Sequence, residues 1–380
     1  MKRALVIGGA NGIGLVISLE LAKQYDSIVI VDKLAPSISL PSNIEFICEN
    51  LVYSDFSFVD SLLDVEFVFY SAGFGRVAPF DTFHFKEIDN SFAVNTIAPI
   101  KIISKFSQKL KGEDDFYMGI MVSIAGHVSS PLFALYGATK AALKSEIESV
   151  NIELEKFGSK NRILDVSPGS IKGTQFNGGD KTDVVALESL ASEIINNTLK
   201  KTNIFIPQYK EVFSGVVDRY KNDAHQFGLQ SFDYKIAAGR LEKKPKVKIG
   251  YLSGTFDLFH IGHLNLLRRA KEQCDYLVVG VHEDASHKGK TTFIPFEERM
   301  EIVRSIKYVD KVIKSEKEDS DVYTKGIIKY DKLFVGSDYK GTDRFNRYEK
   351  YFSDKGVEII YFPYTKGTSS TQLRAQIAKE

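Results

Sequence analysis

The chain has 380 residues, long for one domain and comfortable for two of about 100–200 each. Its 43% apolar and 26% charged residues are ordinary globular composition, and 50 basic against 49 acidic residues leave a net charge of +1, so no global bias points to nucleic acid. Cys48 and Cys274 alone build neither a disulfide framework nor a zinc site; no run approaches the roughly 20 apolar residues of a membrane span, and the N-terminal apolar run is too short for a signal segment, so a cytoplasmic protein without membrane insertion is expected.

Residues 4–7 form a short apolar run ending in glycines, the pattern of a buried parallel strand. Helical spacing follows over 16–25, and a second apolar run, 27–31, ends at Asp32. Runs at 44–48, 65–70, 117–123 and 162–167 repeat the strand pattern, with helical spacing over 92–110, 136–157 and 184–200. Residues 203–206 close the unit. This alternation predicts a parallel sheet covered on both faces. The stretch 208–245 is polar, carries irregular Tyr and Phe, and ends in a basic run with Pro245; it reads as a helical extension and linker. At 247 the alternation restarts, with strands at 247–252, 276–281, 331–335 and 357–361 and a helix around 263–273. The expected fold class is α/β: two doubly wound parallel-sheet domains, 1–207 and 246–380, joined by 208–245.

Two stretches carry chemistry. In the first domain, Gly8-Gly9-Ala10-Asn11-Gly12-Ile13-Gly14 lies between a strand and a helix, where glycines let the backbone approach a pyrophosphate at a helix N-terminus. Asp32 falls about 20 residues on, placed to accept hydrogen bonds from a ribose diol. It would repel a 2′-phosphate, which favours NAD(H), although Lys33 and Arg3 could offset that repulsion. Tyr136 and Lys140 stand at i and i+4 on one helix face, so an ammonium can favour the phenolate and make the tyrosine an acid or base nearer neutrality. Ser123 ends the preceding strand and could hydrogen-bond a substrate oxygen.

These residues resemble the short-chain dehydrogenase/reductase family over roughly 1–207. The resemblance implies a Rossmann-like fold, NAD(P)H as cofactor, and a catalytic set of Asn95, Ser123, Tyr136 and Lys140. Tyr136 would protonate the carbonyl oxygen, Lys140 would lower its pKa and bind the nicotinamide ribose, and Asn95 would hold a relay water. Ala72 and Gly73 match the cofactor-bracing Asn-Asn-Ala-Gly, and Pro168-Gly169 match the turn beside the nicotinamide. Ile7 replaces the usual opening threonine, Tyr70-Ser71 replace the asparagines, and the threonine after Pro-Gly is displaced to Thr174. Lys172 and Lys181, on the short segment after Pro168, would suit a small anionic substrate and are equally compatible with an ordinary solvated loop. Such reductases usually pair through the helices bearing Asn95 and Tyr136, which implies a homo-oligomer.

In the second domain, Gly254-Thr255-Phe256-Asp257-Leu258-Phe259-His260-Ile261-Gly262-His263 follows a strand. Phosphoanhydride attack calls for positioned donors and cations, and two histidines about Gly262 can supply them; a histidine pair by itself is also compatible with a metal site or a core. The string resembles the cytidylyltransferase family, its glycerol-3-phosphate branch most of all, over about 246–377. The resemblance implies that His260 and His263 stabilise the transferring phosphate and that Lys288 and Arg299 hold phosphates. Asp338 would line the pocket, and Gly254, Thr255, Phe256, Thr368, Ser369 and Thr371 would bind nucleotide, with Mg²⁺ accompanying CTP and no resident metal site. Tyr364 stands where the family has an arginine. The fusion implies an oxidoreductase and nucleotidyltransferase in one chain. It would reduce a ketose phosphate, with ribulose 5-phosphate the first guess, and couple the alditol phosphate to CTP for a cell-wall or capsule polymer. The alternative is a cytidylyltransferase whose reductase unit is a scaffold.

Overall fold

The computed structural model describes residues 2–174, 176, 181–241, 247–284, 291–363 and 372–374. The chain divides into two compact units, Met1–Lys244 and Pro245–Glu380. In the first, seven strands pair in parallel: β1 (Arg3–Ile7), β2 (Ser27–Asp32), β3 (Ile44–Cys48), β4 (Phe67–Tyr70), β5 (Tyr117–Met121), β6 (Ile163–Val166) and β7 (Ile204–Phe205). Their order is β3-β2-β1-β4-β5-β6-β7. The order reverses between β1 and β4, so a crevice opens at the C-terminal ends of these two strands. Side chains alternate across the sheet. Leu5, Ile7, Val29 and Val31 pack with Ile102, Leu143 and Ile147 of the helices Ala98–Lys105 and Ala134–Lys156. Ala4, Val6, Ile28 and Ile30 pack with Val16, Leu187 and Ile194 of the helices Gly12–Leu21 and Val184–Leu199 on the other face.

The second unit repeats the plan with five parallel strands, β8 (Ile249–Gly254), β9 (Tyr276–Val281), β10 (Lys311–Lys314), β11 (Lys332–Gly336) and β12 (Glu358–Phe362), in the order β10-β9-β8-β11-β12. The switch point lies between β8 and β11. The helices Ile261–Glu272 and Phe296–Arg304 cover one face through Leu267, Ala270 and Val303. The helices Asp319–Thr324 and Asp343–Ser353 cover the other through Val322, Phe345 and Phe352.

Three local features bear on function. The helix expected at 16–25 begins at Gly12, directly on the glycine loop. The helix expected at 92–110 is segmented: Phe85–Phe92, a π-helical turn over Ala93–Ile97, Ala98–Lys105 and Ser107–Lys111. Pro99 has no N–H to continue the ladder, and the Ala98 N–H reaches back to the Ala93 carbonyl instead. The stretch after Pro207 folds into the helices Ser214–Asn222 and Ala224–Ala237, which belong to the first unit. Among the described residues no helix is long and apolar enough to cross a membrane.

Candidate active sites

The glycine loop turns out of β1 because Gly8 adopts φ +81, and a Cβ there would run into the Ala72 backbone nitrogen. Gly14 faces Gly8 as closely: a Cβ on it would strike the Gly8 carbonyl oxygen. Asn11 caps the following helix in extended conformation, and Ile13 is buried against the sheet. The Asp32 carboxylate accepts the Ala10 N–H (3.2 Å) and the Lys33 N–H (2.7 Å), which fixes it at the loop's edge. Arg3 is not available to offset it. It opens β1, at the opposite end from Asp32, and its Nη1 pairs with Asp64 at 2.5 Å. Thr182, which the sequence reading passed over, accepts the Gly12 N–H at 2.7 Å. Thr174 is buried and its hydroxyl donates to the Ile171 carbonyl.

Asn95, Ser123, Tyr136 and Lys140 converge at the C-terminal ends of β4 and β5, all of them buried. The π-helical turn aims Asn95 at the loop after β4. Its Oδ1 accepts the Phe74 N–H (3.0 Å), and its Nδ2 donates to the Phe74 carbonyl (2.8 Å) and Thr139 Oγ1 (3.1 Å). Gly73 lies against the same pair: a Cβ there would sit 3.3 Å from Asn95 Oδ1 and 3.5 Å from Lys140 Nζ. Lys140 is 1% exposed and donates to the Met121 carbonyl at 2.8 Å. Burial pulls it down to about 7, opposed by the Asp165 carboxylate. Asp165 is itself held by the Ser167 hydroxyl at 2.5 Å and lies 3.5 Å from His127 Nε2.

Tyr136 differs from the expectation of a lowered pKa. Burial pushes the phenol up to about 12, a hydrogen bond with Ser123 opposes the rise, and Lys140 Nζ stands 5.7 Å from the ring centroid. The dry surroundings come from two aromatic residues that no motif marked. Phe133 stacks on the Tyr136 ring at 4.4 Å, and Phe176 lies 5.3 Å away. A cavity of about 110 Å³ opens beside the phenol, lined in part by Phe74, Arg76, Glu87 and Ser91. Arg76 is paired with Glu87 at 2.6 Å, so this wall is polar but charge-balanced. Pro168 and Gly169 flank the site: the Pro168 carbonyl accepts the Ile124 N–H at 3.0 Å.

In the second unit, the chain leaves β8 through Gly254 and Thr255 and then takes left-handed conformations at Phe256 (φ 52) and Leu258 (φ 48). Two non-glycine residues in that region of one loop store strain, as functional loops do. Asp257 secures it. Its buried carboxylate accepts the Phe293 N–H (3.1 Å) and Ile294 N–H (3.0 Å) and pairs with Arg374. His260 caps the next helix: the Gly262 N–H donates to its Nδ1 at 3.0 Å, while the His260 N–H donates to His263 Nδ1 at 3.4 Å. The two rings are 4.0 Å apart. An Nδ1 that accepts carries no proton, so both neutral imidazoles bear theirs on Nε2 as donors. Burial lowers the His260 pKa and favours that neutral form.

Arg299, expected to hold phosphates, is enclosed by backbone. It is 0% exposed, and among the described residues its bonds go to backbone carbonyls: Nε to Ile294 (2.9 Å), Nη1 to Thr255 (2.5 Å) and His282 (2.8 Å), Nη2 to Glu283 (2.7 Å). It braces three loops. Asp338 lies exposed on the turn after β11, beside the switch point, with its carboxylate against Gly336. Lys288, Thr368, Ser369 and Thr371 lie outside the described residues. Asp257 and Arg374 were missed as a pair because 117 positions separate them.

A model described as cytidylyltransferase-like matches residues 251–376. Over 130 residues the chain is 37% identical to a glycerol-3-phosphate cytidylyltransferase of Bacillus subtilis (strain 168), spanning 93% of that protein and 33% of this chain. The chain belongs to the cytidylyltransferase family. A second member, the glycerol-3-phosphate cytidylyltransferase of Staphylococcus aureus, is 37% identical, with 90% of it covered and 33% of this chain. A model described as short chain dehydrogenase matches residues 56–184, ahead of the cytidylyltransferase unit. A solved short-chain dehydrogenase from Streptomyces avermitilis shares the fold, with a TM-score of 0.50 and 19% identity over 63% of this chain and 99% of that one. The first unit is thus a short-chain dehydrogenase domain, and both units are enzyme domains.

Proposed function

We propose that the chain reduces a ketose phosphate to an alditol phosphate in its first unit and couples that product to CTP in its second, giving a CDP-alditol and pyrophosphate. Ribulose 5-phosphate is the first candidate substrate. The observation that carries this reading is the coexistence of the two sites. The Bacillus subtilis and Staphylococcus aureus relatives of the second unit are named for glycerol 3-phosphate, an alditol phosphate, and such a phosphate is what carbonyl reduction of a ketose phosphate yields.

The residues of the first crevice fit a dinucleotide: a glycine turn no Cβ would allow, a helix N-terminus, and Asp32 at the end of β2. With Arg3 paired to Asp64, Asp32 favours NADH over NADPH. Gly8, Asn11, Gly12, Ile13 and Gly14 would hold the pyrophosphate side, and Ala72, Gly73, Pro168 and Gly169 the nicotinamide side. Bound there, the nicotinamide supplies the hydride. Ser123 and Tyr136 hold the carbonyl oxygen, and Tyr136 gives it the phenolic proton. A phenol kept protonated to about 12 is always loaded for reduction at neutral pH. The Lys140 ammonium offsets the phenolate charge until a proton returns from solvent. Phe133 and Phe176 keep water off the exchange.

In the second unit the phosphate oxygen of the alditol phosphate attacks the α-phosphorus of CTP, the α–β anhydride bond breaks, and pyrophosphate leaves. The Nε2–H donors of His260 and His263 meet the charge that builds on the α-phosphate oxygens. Mg²⁺ would accompany the triphosphate. The reading is tested by incubating purified full-length protein with C3–C5 ketose phosphates, NADH or NADPH, CTP and Mg²⁺. A CDP-alditol by mass spectrometry is expected, and its absence across the set with active controls overturns the reading.

A further inference from the structure

The helices after Pro207 are built onto the two loops that flank Tyr136. Phe213 packs on Gly169 so closely that a Cβ there would enter its ring, and Arg240 Nη2 donates to Ser170 Oγ at 3.1 Å. The helix Ala224–Ala237 brings Lys235, 6% exposed, over the turn at Ser130 and Pro131. Its ammonium donates to Ser130 Oγ (2.8 Å), the Pro131 carbonyl (2.8 Å) and Ser231 Oγ (3.0 Å). Among the described residues it pairs with no carboxylate. Burying a cation against neutral acceptors is costly, and burial pulls this lysine down to about 8.

The same turn carries Phe133. The Phe133 N–H donates to the Ser130 carbonyl at 2.9 Å, and Leu132, left-handed at φ 64, offers its carbonyl to the Ala78 N–H at 2.6 Å. Phe133 then stacks on Tyr136. We propose that Lys235 is a positioning residue of the reductase site, clamping the Ser130–Pro131 turn so that Phe133 holds the Tyr136 ring in place and dry. The segment after Pro207 is then a wall of that site. The inference rests on the reading of Tyr136 as the proton donor to a carbonyl.

The test uses the full chain carrying Lys235→Met, Lys235→Arg or Ser130→Ala. In K235M, amide hydrogen exchange over residues 128–133 is expected to rise about tenfold while β1, β4 and β5 stay protected. Reductase kcat falls about tenfold, since small misplacement at a reacting centre is expensive. The KM for the reduced nicotinamide and cytidylyl transfer stay unchanged. K235R, which keeps donors at the turn, restores kcat. If K235M does not fold, S130A decides, with a smaller rise in exchange at 128–133 and a smaller loss of kcat. Unchanged exchange and kcat in whichever variant folds overturn the clamp. If the wild-type chain reduces no carbonyl compound, the proposed reaction fails, and hydrogen exchange alone decides the clamp.

Discussion

Arg299→Lys separates bracing from phosphate binding. The guanidinium spans the carbonyls of Ile294, Thr255, His282 and Glu283 at 2.5–2.9 Å with no exposure to solvent. A lysine ammonium is a point donor and cannot bridge four acceptors spread around a planar fork. If it satisfies about two, two buried carbonyls lose their partner, at about 1–3 kcal/mol each, for a loss of about 2–6 kcal/mol. With a urea dependence of about 2 kcal/mol per molar for a unit of this size, its midpoint falls by about 1–3 M. Pulse proteolysis of the full chain in urea, following fragments of the second unit without CTP, reads this directly. An unchanged midpoint together with a collapsed CTP affinity would show that the charge acts on phosphates and would refute the bracing argument.

Tyr136→Phe removes the proton donor but keeps the ring that stacks on Phe133. Reductase turnover is expected to drop by roughly 10²–10⁴ with pyrophosphate release from CTP unchanged; unchanged reduction would make the first unit a scaffold. For Lys140 the sign follows from its fall to about 7: the ammonium that reduction uses is present below that pH and is lost as pH rises through it. Asp165 favours the ammonium, so Asp165→Asn moves the alkaline limb of kcat/KM to lower pH, and an unmoved limb contradicts the assignment. By linkage, the unfolded chain binds the extra proton above about 7, so this lysine's contribution to stability improves with rising pH up to its unfolded value. His260→Asn keeps an acceptor for the Gly262 N–H but loses the Nε2–H donor. Cytidylyl transfer should fall by about 10²–10³ with the helix cap intact, and transfer at the wild-type rate would remove His260 from the chemistry.

The sheets were legible because buried parallel strands are apolar runs between glycine or polar breaks, and the run 276–281 coincides with β9. β10 was not legible: Lys-Val-Ile-Lys has two apolar residues between two lysines, the look of a loop, yet those lysines suit an edge strand. The π-helical turn at Asn95 was hidden because helical periodicity does not register one extra residue per turn.

The site was legible where chemistry demands a residue type at a fixed local spacing, as in Tyr136 with Lys140 or His260 with His263. It was not legible where long-range packing decides what a charge does. Arg299 read as a phosphate-binding cation, while no local motif marked Arg76, Lys235 or Arg374; all four are committed to carboxylates or backbone carbonyls that only the fold brings to them. The consequence runs back to substrate choice. With Arg76 balanced by Glu87 beside the Tyr136 cavity, the pocket floor offers hydrogen bonds without net charge. On the proposed reading, that floor would meet the hydroxylated carbon chain of a ketose and not its phosphate.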